Sequence, residues 1–169
     1  MSSRARSQWF LLVLSLIGAG IAIYLTLVHY NESVPLVCSG SGLVNCGAVL
    51  SSPYAVVPGT SIPISLPGLA WCLVIGALAL LGILQGKRPG LLHAELLWTL
   101  LGMLTVLYLV YVELVRLHAI CAWCTGLHVL IFLMFITAFV QWQARTDDEE
   151  SVSEEMEEPV REASTPPRS

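Results

Sequence analysis

Four apolar runs, each long enough to cross a lipid bilayer, decide what this chain can fold into. Spanning the hydrocarbon core takes roughly 20 apolar residues in a helix, and residues 9–30, 66–84, 91–112 and 120–140 are each about that long. Trp9–Tyr30 and Leu66–Leu84 carry no formally charged side chain, Leu91–Val112 has only His93 and Glu95 near its start, and Ile120–Val140 has only His128 besides its cysteines. Pro67 falls in the first turn of the second run, where its missing N–H is tolerated. The expected fold is all-α: an integral membrane protein with a four-transmembrane-helix bundle. A composition of 56% hydrophobic and 12% charged residues excludes an ordinary soluble domain. The first run follows Arg4 and Arg6 but exceeds the ~7–15 residues of a signal-peptide core and lacks a small-x-small cleavage site, so it reads as a retained span.

The net charge of −4 hides two regions of opposite sign. Residues 1–146 hold six Lys/Arg against three acids, whereas residues 147–158 alone hold eight acids. Basic residues in short connections mark the cytoplasmic side. Arg4 and Arg6 precede the first span, Lys87 and Arg88 sit between the second and third, and Arg145 follows the fourth. The 31–65 connection has no Lys or Arg, and the 113–119 turn has only Arg116. Both termini are therefore expected in the cytoplasm, with the 31–65 loop and the 113–119 turn outside. Residues 1–8 form a cytoplasmic N-terminus, residues 9–141 the membrane domain, and residues 142–169 an acidic tail expected to be disordered, because it has too little apolar surface to offset ordering. No nucleic-acid partner is expected.

The 31–65 loop is apolar for a solvated segment, with Val34, Leu36, Val37, Leu43, Val44, Val49 and Leu50 among its residues, and prolines 35, 53, 58 and 63 break it into short pieces. Such a segment is expected to lie on the bundle as a capping lid, with Leu43–Ser51 able to form a short helix. Backbone near membrane depth is tolerated where protein covers it. Glu113 and Arg116 flank the outer turn and read as interfacial, while His93 and Glu95 are expected to reach the headgroups.

Cysteines fall in two pairs, Cys38/Cys46 in the loop and Cys121/Cys124 opening the fourth span. The orientation derived from Lys and Arg puts both pairs on the outer side, where disulfides persist. In Cys121-Ala122-Trp123-Cys124 the two-residue gap suits a small, readily reduced disulfide, and a helix N-terminus favours the thiolate that attacks in exchange. Cys38 and Cys46 lie in a loop able to swing. Reduction of one pair can pass to the other through a transient cross-loop disulfide, and thence to something dissolved in the lipid. Two structural clamps, or zinc held by all four thiolates, also fit the count. Cys72, without a sequence partner, reads as an inert buried thiol. Cys121, Cys124 and His128 share one helix face at i, i+3 and i+7. An intramembrane histidine faces either a cavity, where it can hydrogen-bond a bound acceptor, or a neighbouring helix that satisfies it.

At these residues the chain resembles the vitamin K epoxide reductase family in its bacterial form. The likeness covers about residues 9–141 and rests on Cys38-x7-Cys46 in the first outer loop, Ser51-Ser52 after it, and Cys121-x-x-Cys124 at the fourth span. The other four-helix quinone-linked oxidases, the DsbB-like ones, carry their pairs in the reverse order. The resemblance implies a bundle around a quinone (menaquinone or ubiquinone), capped by an extracytoplasmic loop containing a short half-helix. It implies that Cys121/Cys124 are the active pair with Cys124 beside the quinone, that Cys38/Cys46 shuttle electrons from a partner, and that Ser52 lies near the quinone. His128 stands where animal members have tyrosine. Animal members also carry a pocket asparagine before the second span; Ser61–Gly68 has none, which favours a plain quinone over an epoxide. The expected activity is a quinone-dependent thiol–disulfide oxidoreductase of the bacterial inner membrane, reoxidising a separate thioredoxin-fold (DsbA-like) partner and so supporting disulfide formation in secreted proteins. Vitamin K or quinone epoxide reduction, or a non-enzymatic disulfide-braced scaffold, are the alternatives.

Overall fold

Each apolar run forms one long helix. In the computed structural model, which describes residues 3–31, 33–38, 42–85 and 89–164 (residues 3, 4, 89 and 148–164 as backbone alone), α1 is Ser3–Tyr30 and a short α2 is Cys46–Leu50. A 3-10 turn at Pro53–Ala55 follows, then α3 at Ser65–Gln85 and α4 at Pro89–Tyr111. Without a break α4 passes into a π-helical stretch, Val112–Leu117, and α5 runs Ala122–Ser164. Glu32, Lys87 and Arg88 lie outside the described residues. Four of the helices are long and apolar enough to cross a membrane. The protein is an all-α, multi-pass membrane protein. Among the described residues β pairing is confined to two isolated bridges, Val44 with Ile120 and Val56 with Pro63.

The long helices form a ring in the order α1, α3, α4, α5, with α1 against α3 and α5, and α4 against α5 and α3. Large apolar side chains such as Leu16, Leu84 and Leu97 are more than 60% exposed on the outside of this ring. That is expected of a surface solvated by lipid tails. Lipid supplies no hydrophobic drive for helices to associate, so close backbone approach and buried polar contacts do that work. The α1–α3 seam shows the first device: Gly76 faces Ser15, Gly82 faces Gln8, and Gly18 faces Cys72, each leaving no room for a side chain of its own. Leu11, Leu14, Ile75, Ala79 and Met134 fill the core beside them.

The end away from the 31–65 loop shows the second device. Gln8 of α1 donates from Nε2 to Glu95 Oε2 of α4 and to Gln141 Oε1 of α5, both at 3.0 Å. Glu95, expected at the headgroups, is instead fully buried. Helix register is the reason: Leu92, Glu95, Thr99, Gly102 and Val106 recur three or four residues apart and all face inward, leaving His93 exposed. The acidic tail also differs from expectation, because α5 continues through it to Ser164. Glu, Arg, Ala and Met are good helix formers, and residues added to an existing helix bear no nucleation cost.

Between α3 and α4 two tryptophans bond reciprocally: Trp71 Nε1–H to the Trp98 carbonyl and Trp98 Nε1–H to the Trp71 carbonyl, each at 3.1 Å. The Trp71 ring lies directly on Gly102, where a Cβ would overlap the indole. Because its Nε1–H is held by the Trp98 carbonyl and its backbone carbonyl by the Trp98 ring, Trp71 has little freedom to retreat. Gly102→Ala is expected to destabilise the protein by about 1–3 kcal/mol, the usual cost of overpacking, lowering its melting temperature in detergent; an unchanged melting temperature would contradict this packing.

Candidate functional site

The loop is strapped to the bundle along its first stretch. Tyr24 of α1 donates its hydroxyl to the Pro35 carbonyl (3.0 Å) and accepts the Val37 N–H (2.9 Å). The Trp123 indole N–H donates to the Val37 carbonyl at 2.8 Å, and the Tyr24 and Trp123 rings lie 5.0 Å apart. Farther on, Leu43–Asn45 runs parallel to the segment before α5: the Ile120 N–H donates to the Leu43 carbonyl (2.8 Å) and the Asn45 N–H to the Ile120 carbonyl (3.0 Å). Asn45 then caps α2, its Oδ1 accepting the Ala48 N–H at 3.0 Å.

This backbone pairing brings the two cysteine pairs together. Cys46 opens α2 and packs with Cys121 in one apolar cluster that includes Val49 and Ala119, with Cys38, Trp123 and Cys124 against it. Cys46 and Cys121 are 1% and 0% exposed, whereas Cys38 is only partly buried. Cys38 and Cys46 are joined in a disulfide with their Cα atoms 6.1 Å apart. That bond takes them out of a four-thiolate zinc set. Cys72 is a buried thiol between α1 and α3, away from this cluster.

Cys121 stands at the N-cap of α5, where a side-chain acceptor normally meets the unpaired N–H groups of the first turn. Its sulfur fills that role, accepting the Cys124 N–H at 3.3 Å and the Cys124 thiol at 2.7 Å. The Cys124 thiol hydrogen bond is the chief reason the Cys121 thiol lies below its ordinary value; backbone N–H groups of Cys124 and Trp123 add to it, while burial and the Glu113 charge oppose it. An electron-rich sulfur at a helix N-terminus is the arrangement that favours thiolate.

Cys124 opens on a cavity of about 300 Å³ beneath the loop, at the lower end of the ~300–1,000 Å³ typical of small-molecule sites. Its wall is mostly apolar and includes Leu25, Val49, Trp71, Val106 and Leu127. Pro67, Leu101 and Thr105 line it and are also exposed, so the cavity reaches the bundle surface between α3 and α4. His128 lines it and is buried, and among the described residues no group hydrogen-bonds its ring. Of the two environments open to an intramembrane histidine, this is the cavity-facing one. Ser52 lines the cavity too, but its hydroxyl donates to the Val49 carbonyl at 2.7 Å, leaving lone pairs rather than a proton for a ligand.

Two lining residues escaped the sequence reading. Tyr54, from the 3-10 turn, accepts Arg116 Nε–H at 3.2 Å, which leaves its own hydroxyl proton for the cavity. Glu113, expected at the interface, is 6% exposed and lines the cavity with Cys124. An acid inside an apolar run was its signal. The π-helical stretch turns this residue inward, and His118, in the left-handed region at φ 49°, closes the stretch onto the Glu113 carbonyl.

Four spanning helices, a loop disulfide and a thiol pair over an apolar cavity define a membrane protein built for thiol–disulfide chemistry. Residues 9–139 match the model of the Vitamin K epoxide reductase family, and the chain belongs to that family. It is thus a membrane thiol–disulfide oxidoreductase. Among curated proteins none matches the chain.

Because the Cys124 thiol lowers Cys121 by hydrogen bonding, Cys124→Ala is expected to move Cys121 alkylation to higher pH. Rates of iodoacetamide labelling against pH, read by peptide mass spectrometry, check this; an unshifted profile would refute the role of the Cys124 thiol hydrogen bond.

Proposed function

We propose that this protein is a quinone-dependent oxidase of a thioredoxin-fold (DsbA-like) protein, working in the inner membrane of a bacterial cell. Its termini lie in the cytoplasm and its cysteines on the outer side, as the Lys and Arg distribution favours. One observation carries the reading: Cys46 of the loop disulfide and Cys121 of the helix pair share a single buried cluster, and Cys124 faces from it into an apolar cavity. That is a continuous sulfur route from a half-exposed bond to a lipid-accessible pocket. The cavity suits a lipid-soluble ring: its wall is apolar, it reaches the lipid-facing side between α3 and α4, and the His128 ring and Tyr54 hydroxyl offer hydrogen bonds to carbonyl oxygens. Menaquinone and ubiquinone both satisfy these demands.

The chemistry follows from exposure and contact. A thiolate of the reduced partner attacks Cys38, the more accessible sulfur, and Cys46 leaves as thiolate. Cys46 attacks Cys121, and Cys124 leaves as thiolate at the cavity wall. The partner's second cysteine closes the partner's own disulfide and frees Cys38. Cys38 then attacks Cys46, re-forming the loop bridge and releasing Cys121. The partner is now oxidised and the helix pair carries two electrons. Quinone supplies the two-electron sink; Cys121 and Cys124 pass to it two electrons and two protons and return to the disulfide. The direction is set by reduction potentials, about 30 mV corresponding to 1.4 kcal/mol for two electrons. A purely bracing role leaves a second cysteine pair on the wall of an apolar cavity unexplained.

Cys124→Ser is expected to abolish quinone reduction by any thiol donor. Cys38→Ser is expected to block a protein donor while sparing a small dithiol that reaches the inner pair. Quinol formation followed optically with both donors separates the roles, and equal failure of both donors in Cys38→Ser would overturn the shuttle. His128→Ala is expected to raise KM for quinone about 3–10-fold, the worth of one hydrogen bond, with the Cys121 alkylation profile unaltered.

A further inference from the structure

Quinone reduction moves two protons as well as two electrons, and the relay of sulfurs accounts only for the electrons. The wall around Cys121 and Cys124 holds one buried carboxyl able to carry a proton. Glu113 sits within an otherwise apolar stretch, is 6% exposed, and lines the cavity alongside Cys124 and His128. Its carboxyl lies near the backbone N–H of Cys121, on the same wall as the thiol pair. An ionisable group buried at membrane depth is costly to keep, and an apolar residue here would pack the same wall without that cost.

The local fold is arranged around this residue. The π-helical stretch begins at Val112 and buries Val112 and Glu113 while Leu114, Val115 and Arg116 stay exposed. Its closing turn returns the Ala119 N–H to the Glu113 carbonyl at 3.1 Å, so the backbone that positions Glu113 is continuous with the one that presents Cys121. π-Helical insertions recur at functional sites.

We propose that Glu113 is the proton-holding group of the thiol pair: its carboxylate takes the proton from the Cys121 thiol as that sulfur closes onto Cys124, and releases it through the cavity to the quinone. This rests on the function proposed above. In the balanced step the S–S bond forms between Cys121 and Cys124, and two electrons leave the sulfurs for the quinone. The Cys124 proton goes directly into the cavity and the Cys121 proton goes by way of Glu113. The carboxylate ends as it began. Other titratable or charged groups near the site come from every neighbouring element: Tyr24 and His29 on α1, Tyr54 in the 3-10 turn, Tyr108 and Tyr111 on α4, Arg116 and His118 around the π stretch, and His128 on α5. Arg116 is exposed and engaged with Tyr54, and Cys38 and Cys46 are bridged.

The test compares wild type with Glu113→Gln, which keeps the shape and removes the charge, and with Glu113→Asp, which keeps the charge. The purified, dithiol-reduced proteins are alkylated across pH with no quinone added, and Cys121 is read by peptide mass spectrometry. A carboxylate beside a thiol disfavours the thiolate, so the wild-type profile is expected to rise in two steps, as interacting sites titrate. The Gln variant is expected to show one step, displaced to lower pH, and the Asp variant to retain two. Quinone turnover with a small dithiol is expected to fall roughly 10²-fold in Glu113→Gln, the lower end of acid–base contributions, with partial recovery in Glu113→Asp. Superimposable alkylation profiles for wild type and Glu113→Gln would overturn the proposal, as would wild-type turnover in that variant. If wild type reduces no quinone at all, the proposed function falls, and the alkylation profiles still decide whether Glu113 and Cys121 share a proton.

Discussion

Two backbone hydrogen bonds at Ile120 hold the site together. Its N–H to Leu43 and its carbonyl from Asn45 lay the loop alongside the start of α5, and the positions of Cys46, Cys121 and Cys124 follow from that alignment. Backbone pairing suits the task. Side-chain contacts would drift with rotamers, whereas the two bonds of a parallel bridge between Val44 and Ile120 set the register between the Cys46 and Cys121 segments. The straps at Tyr24 and Trp123 set the approach of the preceding segment, so Cys38 stays within bonding reach.

The bundle divides its labour between a tight side and a loose side. Along α1 and α3 the glycines let backbones close on Ser15, Gln8 and Cys72. Between α3 and α4 the reciprocal tryptophan bonds tie the helices together. Trp71 also lines the cavity. A glycine at 102, rather than any larger residue, lets the indole lie flat on α4 instead of filling the space a ligand needs.

Much of this was legible in the sequence, for reasons that differ by residue. Apolar length alone reveals a spanning helix, because the bilayer imposes it without reference to tertiary contacts. The cysteine pairs were legible from order and spacing, since Cys121 and Cys124 share a helix turn and Cys38 and Cys46 share a short loop. Single-residue orientation was not. Glu95 and Glu113 sit near the ends of one apolar run, where composition points to headgroups. Register turns the first toward Gln8, and the π stretch turns the second toward the thiols. Tyr54 depended on the path of the capping loop and on Arg116, 62 residues away. Ser52 was expected near a ligand from the resemblance and it lines the cavity, but which partner takes its proton is a matter of local backbone geometry.

The amide–carboxyl clasp of Gln8, Glu95 and Gln141 gives the molecule a second fastening of a different kind. It joins three helices by polar contacts that no reductant touches, at the pole opposite the sulfur chemistry. Were the Cys38–Cys46 bond to open, the loop pole of the bundle would slacken while α1, α4 and α5 stayed fastened at the other. Those three helices would keep their alignment to receive the cap back.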